Sequence, residues 1–145
     1  MGGAVDIALA CDLLVASEDA FFQVPATRMG LLYNPQAIVR WRKRLSGLTL
    51  RSMLLAGERL TADAAFQAGI VSHVAPTGSA LEKSHELASR ILQGSPEAVA
   101  ATKGLLVALE SGDTKLRRWE KLRRQILASS EREESVNRAK KSTLT

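Results

Sequence analysis

The stretch GGAVDIALACDLLVASEDAFFQVPATRMGL, residues 2–31, decides the fold. Gly2-Gly3 leads straight into AVDIALA, a short apolar run of good helix formers. Two glycines ahead of a helix leave a backbone that another molecule can approach closely. Free N–H groups then stand at the positive end of the helix dipole. Asp12 closes this element. LLVAS (Leu13–Ser17) reads as a short buried strand, Glu18-Asp19 as a turn, and AFFQV (Ala20–Val24) as a second strand stopped by Pro25.

Outward from there, PATRMGLLYN (25–34) is irregular. Asn34-Pro35 is a helix start, with asparagine as the cap and proline in the first turn. That helix is expected to run to about Leu45 and to end near Ser46-Gly47. A second helix covers Thr49–Ala56 and stops at Gly57. Thr61-Ala62-Asp63 opens a third, closed by Gly69, and IVSHV (Ile70–Val74) is a short strand ended by Pro76. Beyond Pro76 the periodicity is helical throughout. Leu81, His85, Ala88 and Leu92 form one stripe. Ser95-Pro96-Glu97 caps the helix marked by Val99, Leu106 and Leu109 and ended by Gly112. Asp113 is expected to cap a third helix, striped by Leu116, Trp119, Leu122 and Ile126. From Glu131 the sequence is polar and reads as a frayed helix. Residues 1–76 are therefore mixed α/β and residues 77–145 helical.

Composition narrows the classes. The chain has 145 residues, 46% of them hydrophobic and 24% charged, a globular balance. No run of about 18 apolar residues marks a transmembrane helix, and no membrane partner is expected. Asp6, Asp12 and the lack of a basic start argue against a secretory leader. A single cysteine, Cys11, excludes an internal disulfide framework and points to a cytoplasmic chain. On its apolar helix Cys11 is expected to be a small buried hydrophobe. His73 and His85 stand too far apart for a zinc site, so no metal is expected; both read as packed or hydrogen-bonded residues. The net charge of +5 is unevenly spread. Residues 1–112 are balanced, and the whole excess lies in 113–145. Without interleaved aromatic residues this basic tail gives no nucleic-acid signature.

Three blocks in register carry a resemblance: residues 2–31, LTLRSMLLAGERLTADAAFQAGIVSHVAP (48–76) and SPEAVAATKGLL (Ser95–Leu106). Together they resemble the crotonase superfamily, the enoyl-CoA hydratase/isomerase fold. The wording VDIALACD…DAFFQV is most similar to the dienoyl-CoA isomerase branch. The resemblance implies an α/β fold: a partial crotonase (ClpP-like spiral) core over 1–76, followed by a C-terminal helical trimerisation region over 77–145. Such subunits are nearly twice this long, so the chain reads as a C-terminal half.

The resemblance also assigns chemistry. Members stabilise a thioester enolate with two backbone N–H groups. Gly3 falls at one of these donors, with Gly2 beside it; on spacing alone a glycine pair reads as an ordinary tight turn with no ligand. Asp6 falls where hydratases place a catalytic glutamate and the dienoyl isomerases an aspartate. Read without the family, it is a solvated carboxylate near a helix N-terminus. Ala26 occupies the position of a second catalytic glutamate, and Asn34 that of a further aspartate, so only one acid remains. Tyr33 lies beside the expected acyl pocket, either as a hydrogen-bond donor or as a packing aromatic. The family's Pro-Gly-x-Gly-Gly turn is absent there, LYNPQAIVR standing in its place. Arg40 keeps a family arginine and is expected to form a structural ion pair.

Asp6 and Gly3 are therefore the expected catalytic residues, and Gly2, Ala26 and Tyr33 the expected substrate-binding ones. The implied reaction acts on an acyl-CoA thioester, with isomerisation favoured over hydration. No cofactor is implied beyond coenzyme A within the substrate. The implied assembly is a homotrimer or hexamer. The basic face around Lys115, Arg117, Arg118, Arg123 and Arg124 reads as a solvated helix face. Lysines of the tail Arg138-Ala139-Lys140-Lys141 approximate a family ending that approaches the coenzyme A phosphates. The alternative from another class is a non-catalytic oligomerisation module.

Overall fold

The first element of the computed structural model, which describes residues 1–142, is helix α1 (Gly3–Ala10). The described chain divides into two units, Met1–Glu86 and the residues from Leu87 onward. In the first unit, strand β1 (Val15–Ser17) pairs in parallel with β4 (His73–Ala75), Val15 opposite His73. Strand β2 (Phe21–Phe22) pairs antiparallel with β3 (Leu60–Thr61). A parallel pair needs a crossover connection. Everything between residues 18 and 72 is that connection, and it includes helices α2 (Pro35–Trp41), α3 (Gly47–Arg51) and α4 (Ala62–Gln67). A π-helical turn (Ser52–Ala56) continues α3.

The helix starts follow local chemistry. The Asn34 side chain accepts from the Gln36 N–H with Pro35 in the first turn, Ser46 accepts from Thr49, and Thr61 accepts from Ala64. Each bond satisfies a backbone donor that has no partner inside its helix. The core gathers Val5 and Leu9 of α1, Phe22 and Val24, Ala37 and Trp41 of α2, Leu50 and Met53, and Ala62 and Ala65 of α4. Val24, Met53 and Trp41 are fully buried.

In the second unit, helix α5 (Ala80–Leu92), which starts in the first, leads to α6 (Pro96–Glu110), α7 (Arg117–Leu127) and α8 (Ser130–Ser142). Ser95 caps α6 by accepting from the Ala98 N–H. Left-handed Gly112 ends α6, and the Asp113 N–H returns to the Ala108 carbonyl. Trp119 of α7 lies against Gly104 of α6, where a Cβ would come within 3.1 Å of its ring. Ala108 is the one buried apolar residue of this unit among those described.

Several expectations need correction. The strands are shorter than expected, because each lasts only as long as its partner. AFFQV keeps two residues in β2. The strand expected at 70–74 lies at 73–75, while Ile70 and Val71 are buried without being strand. β3 was not expected. The helix from Pro35 ends at Trp41, not near Leu45. Cys11 is exposed: α1 buries Val5 and Leu9, four residues apart, and Cys11 leaves the helix as its extended C-cap. Asp113 does not cap α7, whose cap is Leu116; it accepts from the Lys115 N–H instead.

Candidate active site

The candidate site is the first turn of α1. Gly2 has φ 56° and ψ −121°, a backbone conformation open to glycine and strained for other residues. Three hydrogen bonds hold this turn. The Gly2 N–H donates to the Gln23 carbonyl at 3.0 Å, the Ala4 N–H to the Met1 carbonyl at 3.3 Å, and the Val5 N–H to the Gly2 carbonyl at 3.0 Å. Among the described residues the Gly3 N–H has no acceptor. A Cβ at Gly2 or Gly3 would meet nothing within 4 Å, so the space over this turn is open.

Asp6 stands in the same first turn. Arg40 donates through Nη2 to both of its oxygens, at 2.8 and 2.9 Å. The Trp41 Nε1–H donates to Oδ1 at 3.1 Å. A carboxylate offers about four lone-pair sites. Two on Oδ1 and one on Oδ2 are engaged, leaving Oδ2 one acceptor direction. The Asp6 side chain is 24% exposed, so the carboxylate is not sealed from solvent.

Tyr33 is half-buried. Its hydroxyl donates to the Gly2 carbonyl at 3.2 Å, and its ring packs on Trp41 with centroids 4.9 Å apart. Burial first, and the nearby Asp6 charge second, push its phenol above the ordinary tyrosine range. At the far end of α1, Arg44 donates to the carbonyls of Leu9, Cys11 and Asp12. The Leu9 and Cys11 carbonyls are among those a helix C-terminus leaves without partners inside the helix. One short stretch, residues 33–44, thus grips α1 at both ends.

Ala26 is buried at 7% exposure. Its carbonyl accepts from the Met29 and Leu31 N–H groups. The following Thr27 and Arg28 side chains donate to the carbonyls of Leu54, Leu55 and Ala56 that end the π-helical turn. Ala26 therefore anchors the irregular segment and brings no polar group to α1.

Arg40, expected as an ion-pair residue, pairs with Asp6 itself. That partnership, Trp41 as a second donor, and Arg44 as the cap of α1 were not read from the sequence. Contacts 32 to 35 residues apart leave no periodic signal. His73 lies in β4 with Nδ1 buried and unpartnered, and His85 is exposed on α5. Neither has a place in the Asp6 cluster. Among the described residues no three His, Cys, Asp or Glu side chains gather as a metal site, and no helix is long and apolar enough to cross a membrane. The side chains of Arg138, Ala139 and Lys141, to which the resemblance attached the tail's role, lie outside the described residues.

Known proteins resemble this chain in sequence and in fold. The family model described as enoyl-CoA hydratase/isomerase matches residues 1–143. The chain is 33% identical over 142 residues to 2,3-dehydroadipyl-CoA hydratase of Escherichia coli, covering 94% of this chain and 54% of that one. It is 33% identical over 102 residues to carnitinyl-CoA dehydratase of Proteus mirabilis, covering 70% of this chain and 39% of the relative. Among solved structures, an enoyl-CoA hydratase of Mycobacterium marinum superposes with a TM-score of 0.83 at 30% identity, covering 97% of this chain and 59% of that one. An enoyl-CoA hydratase of Mycobacterium tuberculosis superposes with a TM-score of 0.84 at 27% identity, covering 97% and 57%. The chain spans about half the length of these relatives. With an α/β crotonase-like fold and a match along nearly all its length, the chain belongs to the enoyl-CoA hydratase/isomerase family of the crotonase superfamily.

Proposed function

We propose that this chain contributes the oxyanion turn and the acid/base residue of an enzyme acting on an acyl-CoA thioester. Gly3 offers its N–H to the thioester oxygen. Asp6 takes a proton from a carbon near the thioester through the open direction on Oδ2. The C–H electron pair moves into the thioester, which becomes an enolate held at Gly3. Asp6 then returns the proton to another carbon, so the double bond shifts and no water is added. A preorganised oxyanion donor is worth about 3–4 kcal/mol of barrier in comparable enzymes.

The observation that carries this reading is the pairing of an acceptor-free Gly3 N–H with one oriented carboxylate in the same turn. Ala26, buried and apolar, supplies no second acid to handle a water, which favours isomerisation. A second reading, addition or removal of water, is favoured by the names of the relatives, a hydratase and a dehydratase. Oxygen-18 water separates the two in an active assembly that contains this chain. A 3-enoyl-CoA converted to its 2-enoyl isomer without label supports the proton shift; a labelled 3-hydroxyacyl product supports hydration.

We further propose that α6 and α7 build a trimer, and that the 145-residue chain alone turns over no enoyl-CoA. The second donor is taken to come from the part of the relatives' length that this chain does not span. Turnover by the purified chain, free of companion polypeptides, refutes the second statement. A monomer in sedimentation equilibrium refutes the first. The non-catalytic alternative gains if Asp6→Asn leaves every activity of an active assembly unchanged.

A further inference from the structure

We propose that Tyr33 is a positioning residue that aims and strengthens the Gly3 N–H through the peptide bond joining Gly2 to Gly3. This rests on the reading of Gly3 as an oxyanion donor and adds to it a residue that touches neither substrate nor reacting atoms.

The argument starts from the planarity of the peptide group. The Gly2 carbonyl and the Gly3 N–H belong to one rigid plane and point in opposite directions across it. Whatever fixes the carbonyl therefore fixes the N–H. Two donors fix it: the Tyr33 hydroxyl at 3.2 Å and the Val5 N–H at 3.0 Å. Val5 lies within α1 and moves with it, whereas Tyr33 approaches from outside the helix. On the other side of the turn, the Gly2 N–H is tied to the Gln23 carbonyl. Glycine at this position has no side chain to resist rotation of the plane. The φ of 56° is one that glycine adopts freely but not uniquely. An outside grip is what selects one orientation.

The same bond polarises the group. A carbonyl that accepts hydrogen bonds draws charge through the amide and makes its N–H a stronger donor, the cooperative effect of linked hydrogen bonds. The phenol suits this task. Its ring is set against Trp41, and burial disfavours its ionisation, so it stays a protonated donor through the neutral range. Trp41 in turn donates to Asp6. One aromatic pair thereby orients both the proposed oxyanion donor and the proposed acid/base group.

The test uses the full 145-residue chain, nitrogen-15 labelled, with Tyr33→Phe and Tyr33→Leu variants. The phenylalanine variant keeps the ring on Trp41 and loses only the hydroxyl. We expect the Gly3 amide nitrogen and proton to move upfield in Tyr33→Phe, with the thermal midpoint close to that of the parent chain. A role limited to packing leaves the Gly3 amide of Tyr33→Phe in place and moves it only in Tyr33→Leu; that result overturns the proposal. A separate titration of the parent chain with crotonyl-CoA tests the underlying reading. A Gly3 amide that ignores the thioester overturns the oxyanion assignment whatever the Phe variant does. A Gly3 amide that responds to the thioester but not to the loss of the hydroxyl overturns the Tyr33 proposal alone.

Discussion

Residues 1–86 enclose a sealed core, although Ile7, Leu32, Leu48 and Leu55 stay exposed around it. Trp41, Met53 and Val24 are sealed from solvent, and α1, α2, α4 and both strand pairs contribute to one core. From Leu87 onward only Ala108 is buried among the described residues, while Leu106, Val107, Leu109, Leu116 and Leu127 are exposed. The first unit is charge-balanced, whereas most of the chain's excess positive charge sits on and after α7. The contrast separates two ways of using similar helices. The first unit uses its apolar surface to hold α1 in place. The second keeps only a seam between α6 and α7, with Trp119 against Gly104, and seals no large side chain among its described residues.

The largest effect that could break this contrast is at Trp41. Its replacement by alanine removes a fully buried ring, the platform under Tyr33 and a donor to Asp6. A loss of about 3–5 kcal/mol in urea unfolding is expected, as for other buried aromatic truncations. By contrast, Leu106→Lys in the second unit should change the stability of the chain by no more than about 0.5 kcal/mol. A comparable loss at both positions would erase the distinction between the units.

Next in size is the glycine pair. Gly2→Ala forces a side chain onto a strained backbone and is expected to cost about 1–3 kcal/mol. Gly3→Ala, helical and with open space around its Cβ, should stabilise by up to about 1 kcal/mol. The same Cβ would stand where a thioester is proposed to bind, so acyl-CoA affinity should fall as stability rises. Opposite signs at neighbouring glycines, measured by thermal unfolding and by calorimetric titration, are the expected outcome.

Asp6→Asn comes third. Its ion pair with Arg40, whose side chain is 50% exposed, is open to solvent screening. The expected cost is about 1 kcal/mol or less, shrinking as salt rises. The smallest effect is Tyr33 ionisation. Its phenol lies above the ordinary value in the folded chain, so the folded state holds the proton more tightly than the unfolded one. This contribution is fully present below the unfolded value of about 10 and is lost as pH rises through the folded one. Because Tyr33 is the only tyrosine, absorbance at high pH reads this titration directly.

The legibility of the sequence follows the same divide between local and distant causes. Asn34-Pro35, Thr61 and Ser95-Pro96 announced their helices because a cap is a contact between neighbours. Gly57 and Gly112 ended theirs through left-handed conformations that need glycine. β1 and β2 fall inside the expected strands, but β3 has no local signal because it exists only by pairing with Phe21 and Phe22, some forty residues earlier. Cys11 was misjudged because an apolar helix does not say which of its faces meets the core. At the candidate site, Gly3 and Asp6 could be named from neighbouring motif positions. Their supports, Tyr33 on Gly2, Arg40 and Trp41 on Asp6, and Arg44 on the helix end, depend on a chain reversal that no spacing rule encodes.

That reversal makes residues 33–44 a ruler. Tyr33 reaches one end of α1, Arg40 and Trp41 its first turn, and Arg44 its last carbonyls. Inserting or deleting one residue within α2 would rotate everything beyond it by about 100° and shift it about 1.5 Å along the axis. Arg40, Trp41 and Arg44 would then lose register with Tyr33 in a single step. Replacing any one of these side chains removes one grip, whereas a change in length removes several together. Within this segment a change of side chain is therefore expected to cost less than a change of length.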